Sequence, residues 1–213
     1  MRFALYAPPD AAQKKLPLIL WLHGAGSRGD DFGALLNESD QHGLGLLARP
    51  DIQAQYPAII IAPQLPLSKG WGRRDGSGPT PERATAWAIL EQVRQEFQAD
   101  ATRLYVMGAS MGGFATWTML AEHPEAFAAA VPICGGGDVT KAALIKNTPV
   151  WAFHGERDDT VSVEYSRNMI AALQQAGGQP KYTEYKGVGH QSWEVAFKEA
   201  GLLPWLFAQK RGG

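Results

Sequence analysis

Short apolar runs rich in β-branched residues alternate along the chain with longer amphipathic stretches. The apolar runs, each interpreted as a strand, cover residues 2–6, 16–22, 58–62, 104–107, 127–133, 150–153 and 181–185. Helical patterns cover residues 81–97, 163–175 and 193–199, and Thr80 is a suitable N-cap for the first. Continuous apolar strands separated by helices predict an α/β fold, with a mostly parallel central sheet and helices on both faces. Since no repeat or linker interrupts the pattern, we expect a single domain over residues 1–213.

Composition and charge indicate which binding partners and which cellular compartment to expect for this chain. A net charge of −1 argues against general electrostatic attraction to nucleic acid or to an anionic membrane. No apolar run approaches the roughly 20 residues of a membrane span, and the N-terminal residues lack the apolar core of a signal peptide. Cys134 is the single cysteine, so the chain cannot form an intrachain disulfide. We therefore expect a cytoplasmic protein that binds neither nucleic acid nor membranes.

The run that ends the fourth predicted strand carries the pattern Gly-x-Ser-x-Gly, at residues 108–112. A serine on a sharp strand-to-helix turn is held in strained backbone geometry, with its hydroxyl clear of the sheet. Gly108 and Gly112 remove the Cβ atoms that would collide as the strand and helix close on the turn. Ser110 is therefore the candidate nucleophile. The alternative is a glycine-rich turn in which the serine only caps the helix.

A serine hydroxyl needs a base to take its proton and a carboxylate to orient that base. His190 is the candidate base, because it follows the last predicted strand in a glycine-containing loop. Asp158, in the loop after the strand at 150–153, is the first choice of acid, with Asp159 second and Glu156 third. The alternatives are a surface histidine and a solvated acidic loop that caps the next helix.

An oxyanion requires backbone N–H donors near the serine. We expect one from Met111, the residue after the nucleophile, and one from Ala25 in the glycine-rich turn at residues 23–26. The alternative is a tight turn that needs glycine for conformation only. His23 is expected to hold this turn and His154 to bond locally. The remaining candidates for purely structural roles are His42, His123 and Cys134.

The stretch from residue 63 to residue 80 is too long to be a mere connection, which favours a pocket wall after a central strand. Trp71, Leu65 and Gly24 are the candidate substrate-binding residues. Position alone also makes Met111 a candidate for the pocket wall with Trp71 and Leu65, and ordinary packing is an equal alternative for Trp71. No histidine–carboxylate cluster has metal-ligand spacing, and no glycine-rich turn matches a nucleotide-binding loop. We therefore expect neither a metal nor a cofactor.

Taken together, these motifs resemble the α/β-hydrolase superfamily. The segments that carry the resemblance are residues 18–31, 62–64, 108–113, 154–161 and 189–190, in an order that spans nearly the whole chain. Within the superfamily the chain is similar to compact bacterial carboxylesterases related to the dienelactone hydrolase, polyhydroxybutyrate depolymerase-like and phospholipase/carboxylesterase groups. Dienelactone hydrolases carry a cysteine where Ser110 stands, which argues against that activity. The short chain also leaves room for a minimal cap domain at most.

The resemblance implies a serine esterase that works through an acyl-enzyme, with His190 as base and Asp158 holding the imidazole. Its expected partner is a small-molecule ester with a short-chain or aromatic acyl group. Feruloyl or cinnamoyl esterase, acyl-thioesterase and prolyl-oligopeptidase-like peptidase are alternatives, although such peptidases usually carry a propeller domain. An apparent lack of a lid disfavours a long-chain lipase. A catalytically inactive hydrolase fold that binds ligands is the non-enzyme alternative, and a homodimer remains open.

Overall fold

The computed structural model describes residues 1–30, 32–36, 43–73 and 78–212. Within these residues, seven strands form one sheet in the order β1-β3-β2-β4-β5-β6-β7. The strands are β1 (Arg2–Tyr6), β2 (Leu18–Leu22), β3 (Ile59–Gln64), β4 (Leu104–Ala109), β5 (Ala129–Ile133), β6 (Trp151–Gly155) and β7 (Lys181–Tyr185). Only β1 pairs antiparallel to its neighbour in this described part, and the other pairs are parallel. The predicted α/β class and the largely parallel sheet are confirmed.

Seven of the described helices precede β7 in the chain, and two follow it. They are α1 (Gly33–Leu36), α2 (Gly43–Leu47), α3 (Pro50–Gln55), α4 (Pro81–Glu96), α5 (Met111–Glu122), α6 (Ala142–Ile145), α7 (Glu164–Gln175), α8 (Trp193–Ala196) and α9 (Leu202–Ala208). Thr80 caps α4 as predicted, since its hydroxyl accepts a hydrogen bond of 3.3 Å from the Arg83 N–H. Between β5 and β6, residues 134–150 form only a 3-10 turn and α6, so no cap domain is inserted there.

Alternation along the central strands supplies a core on each face of the sheet. In β2, Leu18, Leu20 and Leu22 belong to one buried cluster. Ile19 and Trp21 belong to the cluster on the opposite face. Every residue of β2 is buried, as expected of a strand covered by helices on both sides. The outermost strands β1 and β7 are only partly buried.

The end of the chain differs from the predicted helix over residues 193–199. The structure has the shorter α8, a break at Gly201, and then α9, which the pattern did not predict. Leu202 and Leu206 of α9 are fully buried in the core cluster that includes Trp21, so packing rather than a long amphipathic repeat holds this helix. Across the described residues, no helix is long and apolar enough to cross a membrane.

Candidate active site

Ser110 lies in the one-residue turn between β4 and α5. Its backbone has φ 55° and ψ −117°, a region that residues with a Cβ rarely occupy. A Cβ on Gly112 would lie 1.8 Å from the Leu22 carbonyl oxygen, so only glycine lets α5 approach β2 this closely. The Ser110 N–H donates to the Ile133 carbonyl at 2.9 Å, which ties the turn to β5. Close packing on two strands therefore holds the serine in its strained conformation.

The three side chains predicted as nucleophile, base and acid lie in one hydrogen-bonded chain. Ser110 Oγ lies 2.9 Å from His190 Nε2, and His190 Nδ1 lies 2.8 Å from Asp158 Oδ2. Since the carboxylate can only accept, Nδ1 carries the ring proton, and Nε2 is free to accept the Ser110 hydroxyl proton. The loops after β4, β6 and β7 bring these residues together at the carboxyl edge of the sheet.

Both carboxylate oxygens of Asp158 accept hydrogen bonds. Its side chain is fully buried, and Oδ1 accepts the backbone N–H groups of Thr160 at 3.0 Å and Val161 at 2.8 Å. Burial alone would raise the pKa of this carboxyl, but the hydrogen bonds from Val161, His190 and Thr160 hold the pKa below its usual value. The carboxylate therefore stays ionised at neutral pH.

The two other acids considered lie outside this hydrogen-bonded chain. Asp159 is exposed and accepts a hydrogen bond of 3.2 Å from the Thr160 hydroxyl. Glu156 is exposed and accepts the Gly187 N–H at 2.9 Å, which braces the loop that carries His190. Of the three acids, Asp158 is the one within hydrogen-bonding distance of the histidine.

Ala25 and Met111, the predicted oxyanion donors, both line the cavity that contains Ser110. Each begins a helical segment, Ala25–Ser27 and α5, and the first N–H groups of a helix have no partner within it. Gly24 lies against the serine, since a Cβ there would be 3.7 Å from Ser110 Cβ. The N–H groups and dipole at the start of α5 favour negative charge beside the serine, and the donor roles of Met111 and Ala25 stay a prediction.

His23 holds the loop that carries Ala25, as expected from the sequence. The ring is fully buried, and burial lowers its pKa to about 4, so it is neutral. Its Nε2 accepts the Leu65 N–H at 3.1 Å, so Nδ1 carries the proton and donates to the Gly24 carbonyl at 2.7 Å. The Trp71 indole N–H donates to the His23 carbonyl at 3.1 Å. One neutral histidine thus connects the turn at residues 23–26 to the wall at residues 65–71.

A cavity of about 740 Å³ opens above Ser110. Its apolar lining includes Trp21, Trp71, Phe114 and Trp193, and its polar lining includes Arg28, Arg73, Gln191 and Glu194. Trp71 and Gly24 line the cavity, and their substrate-binding role stays a prediction. The prediction for Leu65 is wrong. Leu65 is fully buried in the core beyond the end of β3 and contributes its backbone N–H to His23 instead of a side chain to the cavity.

Proteins with similar sequences and folds include several esterases. A crystal structure of a thermostable esterase is 38% identical to this chain and matches 98% of it with a TM-score of 0.92. The profile of the prolyl oligopeptidase family matches residues 84–147, which contain β4, Ser110 and α5. The chain belongs to the α/β-hydrolase superfamily.

Two curated proteins also resemble this α/β-hydrolase. Feruloyl esterase B from Neurospora crassa is 31% identical over 146 residues, which is 66% of the chain. The bifunctional acetylxylan esterase/xylanase XynS20E from Neocallimastix patriciarum is 28% identical over 163 residues, or 75% of the chain. The chain spans 46% of the first protein, 22% of the second and 59% of the thermostable esterase.

Several aromatic side chains of this α/β-hydrolase site were not predicted from the sequence. Trp193 packs edge-on against His190, with ring centroids 5.3 Å apart, and also lines the cavity. Trp21 and Phe114 reach the same cavity from β2 and α5. A tryptophan three residues after the candidate base was a usable signal for Trp193. Trp21 lies within the apolar run of residues 16–22, so nothing in the local pattern distinguishes it from an ordinary core residue. It is also 1% exposed in the structure.

The single cysteine lies beneath the serine without the features of a reactive thiol. Cys134 is fully buried, its Sγ accepts the Ser110 N–H at 3.2 Å, and burial raises its pKa to about 12. Among the described residues, the potential ligand atoms of Cys134, Asp158 and His190 lie within 4.8 Å of one another. Each of the three groups already has a protein partner, since Cys134 Sγ accepts the Ser110 N–H and Asp158 bonds His190.

The remaining histidines divide into two groups. His123 stacks on Trp87 with ring centroids 3.7 Å apart, which agrees with the structural role expected for it. His154 is fully buried and bonds residues of the loop that carries Asp158. The expectation for His42 lies outside the described residues.

Proposed function

We propose that the chain is a serine carboxylesterase that hydrolyses small esters with short-chain or aromatic acyl groups through an acyl-enzyme on Ser110. The observation that carries this proposal is the hydrogen-bonded order of Ser110, His190 and Asp158 at a strained strand-to-helix turn. Only one tautomer of His190 satisfies both of its neighbours, and that tautomer leaves Nε2 able to take the hydroxyl proton.

In the proposed reaction, His190 Nε2 removes the Ser110 proton as Oγ attacks the ester carbonyl carbon. The carbonyl oxygen becomes an oxyanion and accepts hydrogen bonds from the N–H groups of Ala25 and Met111. Loss of one such donor typically costs about 3–4 kcal/mol of transition-state stabilisation. The imidazolium then protonates the leaving alkoxide as the tetrahedral carbon collapses to the acyl-enzyme. A water molecule, deprotonated by His190, attacks the acyl carbonyl and restores the serine.

The lining of the cavity supports a preference for compact acyl groups. The partly exposed Trp193 provides a flat apolar surface beside the serine, with the buried Trp21 and Phe114 at the cavity wall, and aromatic rings pack edge-to-face or offset against such a surface. A cavity of about 740 Å³ is large enough for a phenolic ester. A feruloyl or cinnamoyl ester is therefore the second candidate within the same chemistry, and the similarity to feruloyl esterase B also supports it.

The proposal is tested with p-nitrophenyl esters from acetate to palmitate, methyl ferulate and an acyl-CoA. We expect turnover of the acetate or butyrate ester or of methyl ferulate, a decline toward palmitate, and loss of turnover in Ser110→Ala with an unchanged circular dichroism spectrum. Preferred hydrolysis of the acyl-CoA would identify a thioesterase instead. Unchanged ester turnover in Ser110→Ala would contradict the proposed nucleophile.

A further inference from the structure

His154 lies against Asp158 and is fully buried. Its Nε2 lies 3.0 Å from the Val161 carbonyl oxygen and 3.2 Å from Asp158 Oδ2. Its Nδ1 lies 2.8 Å from the Ser166 hydroxyl on α7. Both ring nitrogens are therefore engaged by groups of the protein, and one of these groups is the carboxylate that orients His190.

The identity of these neighbours decides where the ring proton of His154 lies. Both groups near Nε2 are oxygen acceptors, so Nε2 carries a proton. Burial lowers the pKa of His154, so the ring is neutral and Nδ1 has a free lone pair. The Ser166 hydroxyl lies 2.8 Å from Nδ1 and 2.9 Å from the Gly135 carbonyl oxygen, and its single proton is shared between these two acceptors.

We propose that His154 is a positioning residue for the reaction, which shares its Nε2 proton between the Val161 carbonyl oxygen and Asp158 Oδ2 and so helps to hold the carboxylate that orients His190. This inference rests on the proposed roles of Ser110 and His190. Without His154, the Thr160 and Val161 N–H groups would still hold Oδ1, but Oδ2 would be held by His190 alone. A small tilt of the carboxylate at Oδ2 would then shift the His190 ring relative to Ser110.

The contacts of His154 favour a positioning role over a role in hydrophobic packing alone. His154 belongs to a buried strand, where an apolar side chain would pack without the desolvation of two ring nitrogens. Its polar contacts instead continue the hydrogen-bonded chain from Ser110, His190 and Asp158 to Ser166 on α7. A residue buried at this cost and bonded to the candidate acid is well placed to orient it.

Three substitutions of His154 distinguish the effect of losing the Nε2 hydrogen-bond donor from the effect of changing the side-chain volume. In His154→Gln, the side-chain amide places an N–H donor near the position of Nε2. In His154→Asn, the shorter amide reaches only the position of Nδ1, and His154→Phe keeps a ring without donors. We expect kcat to fall about tenfold or more in the Asn and Phe variants, with KM within twofold of wild type, and to recover to within about threefold in the Gln variant.

A second readout does not require ester turnover. Proton NMR with ¹⁵N-labelled histidine follows the hydrogen-bonded N–H groups of His190 and His154. In wild type we expect slowly exchanging imidazole signals from His190, from His154 and from the buried His23, and His23→Asn assigns the last of these. The His190 signal is expected to move or broaden in the Phe and Asn variants and to stay in place in the Gln variant. His123→Gln, far from the site, is the matched control and should leave the His190 signal and kcat unchanged.

The outcomes separate this inference from the proposed function. An unmoved His190 signal in the Phe variant, or equal losses of kcat in the Gln and Phe variants, would overturn the role of His154. If wild type hydrolyses no ester but the His190 signal responds as expected, the positioning contact stands and the proposed function fails. Where the Phe variant does not fold by circular dichroism, the comparison of the Gln and Asn variants decides.

Discussion

Replacing Ser110 by glycine and, separately, by alanine isolates the backbone strain of the turn. At φ 55° and ψ −117°, a residue with a Cβ occupies a sparsely populated region, which costs about 1–3 kcal/mol. Glycine avoids most of this cost, but its greater freedom in the unfolded chain lowers stability by about 0.5–1 kcal/mol. Both variants lose the hydrogen bond between the Ser110 hydroxyl and His190, so its contribution cancels when the stabilities of the two variants are compared. We expect Ser110→Gly to be more stable than Ser110→Ala by about 1 kcal/mol.

This order is the reverse of the usual preference for alanine in a helix-flanking position, and urea denaturation followed by tryptophan fluorescence measures it. A difference of 1 kcal/mol corresponds to about 2–4 °C in Tm for a chain of this size. Ala88→Gly is the matched control, since Ala88 is exposed within α4, and this change should cost about 1 kcal/mol. If Ser110→Ala is instead the more stable of the two Ser110 variants, the turn does not store strain and the reasoning is refuted.

Two further predictions concern stability. The pKa of His23 is about 4 in the folded protein and 6.5 by its ordinary value, so the unfolded state binds more protons between these values and stability falls as pH falls. We expect the contribution of His23 to the free energy of unfolding to drop by about 2 kcal/mol from pH 7 to pH 5. Urea unfolding of His23→Asn should therefore show a weaker pH dependence than that of wild type. An identical pH dependence in the two proteins would contradict the lowered pKa of His23. Gly112→Ala places a Cβ 1.8 Å from the Leu22 carbonyl oxygen and should cost more than about 3 kcal/mol. Gly26→Ala, whose Cβ meets nothing within 4 Å, should stay within about 0.5 kcal/mol by thermal denaturation, and equal losses in the two variants would refute the steric argument.

The strands were predictable because their patterns are continuous and their ends carry turn residues. The predicted run at 104–107 corresponds to β4, Leu104–Ala109, and the run at 150–153 corresponds to β6, Trp151–Gly155. The helices of four to seven residues were not predictable in the same way. α2 and α9 contain too few turns for a helical period to appear, and their stability comes from side chains buried against the sheet.

The candidate site was predictable as a set of residues, since each lies in a loop after a strand. Parallel strands bring such loops to one edge of the sheet, so order along the chain is enough to nominate Ser110, Asp158 and His190. Leu65 shows the limit of this reasoning. Position in the predicted pocket wall does not reveal which way a side chain points, and Leu65 packs into the core while Trp71 lines the cavity.

Local residue chemistry alone therefore specified the α/β class, the strand-to-helix turn at Ser110 and the list of polar candidates, because these depend on short-range periodicity and on glycine sterics. Distances between loops that are far apart in the chain depend on how the sheet stacks its strands. Those distances select Asp158 over Asp159, bring His190 to Ser110 and set His154 against Ser166. No local pattern encodes such contacts, since they arise only when β4, β6, α7 and the loop after β7 pack together.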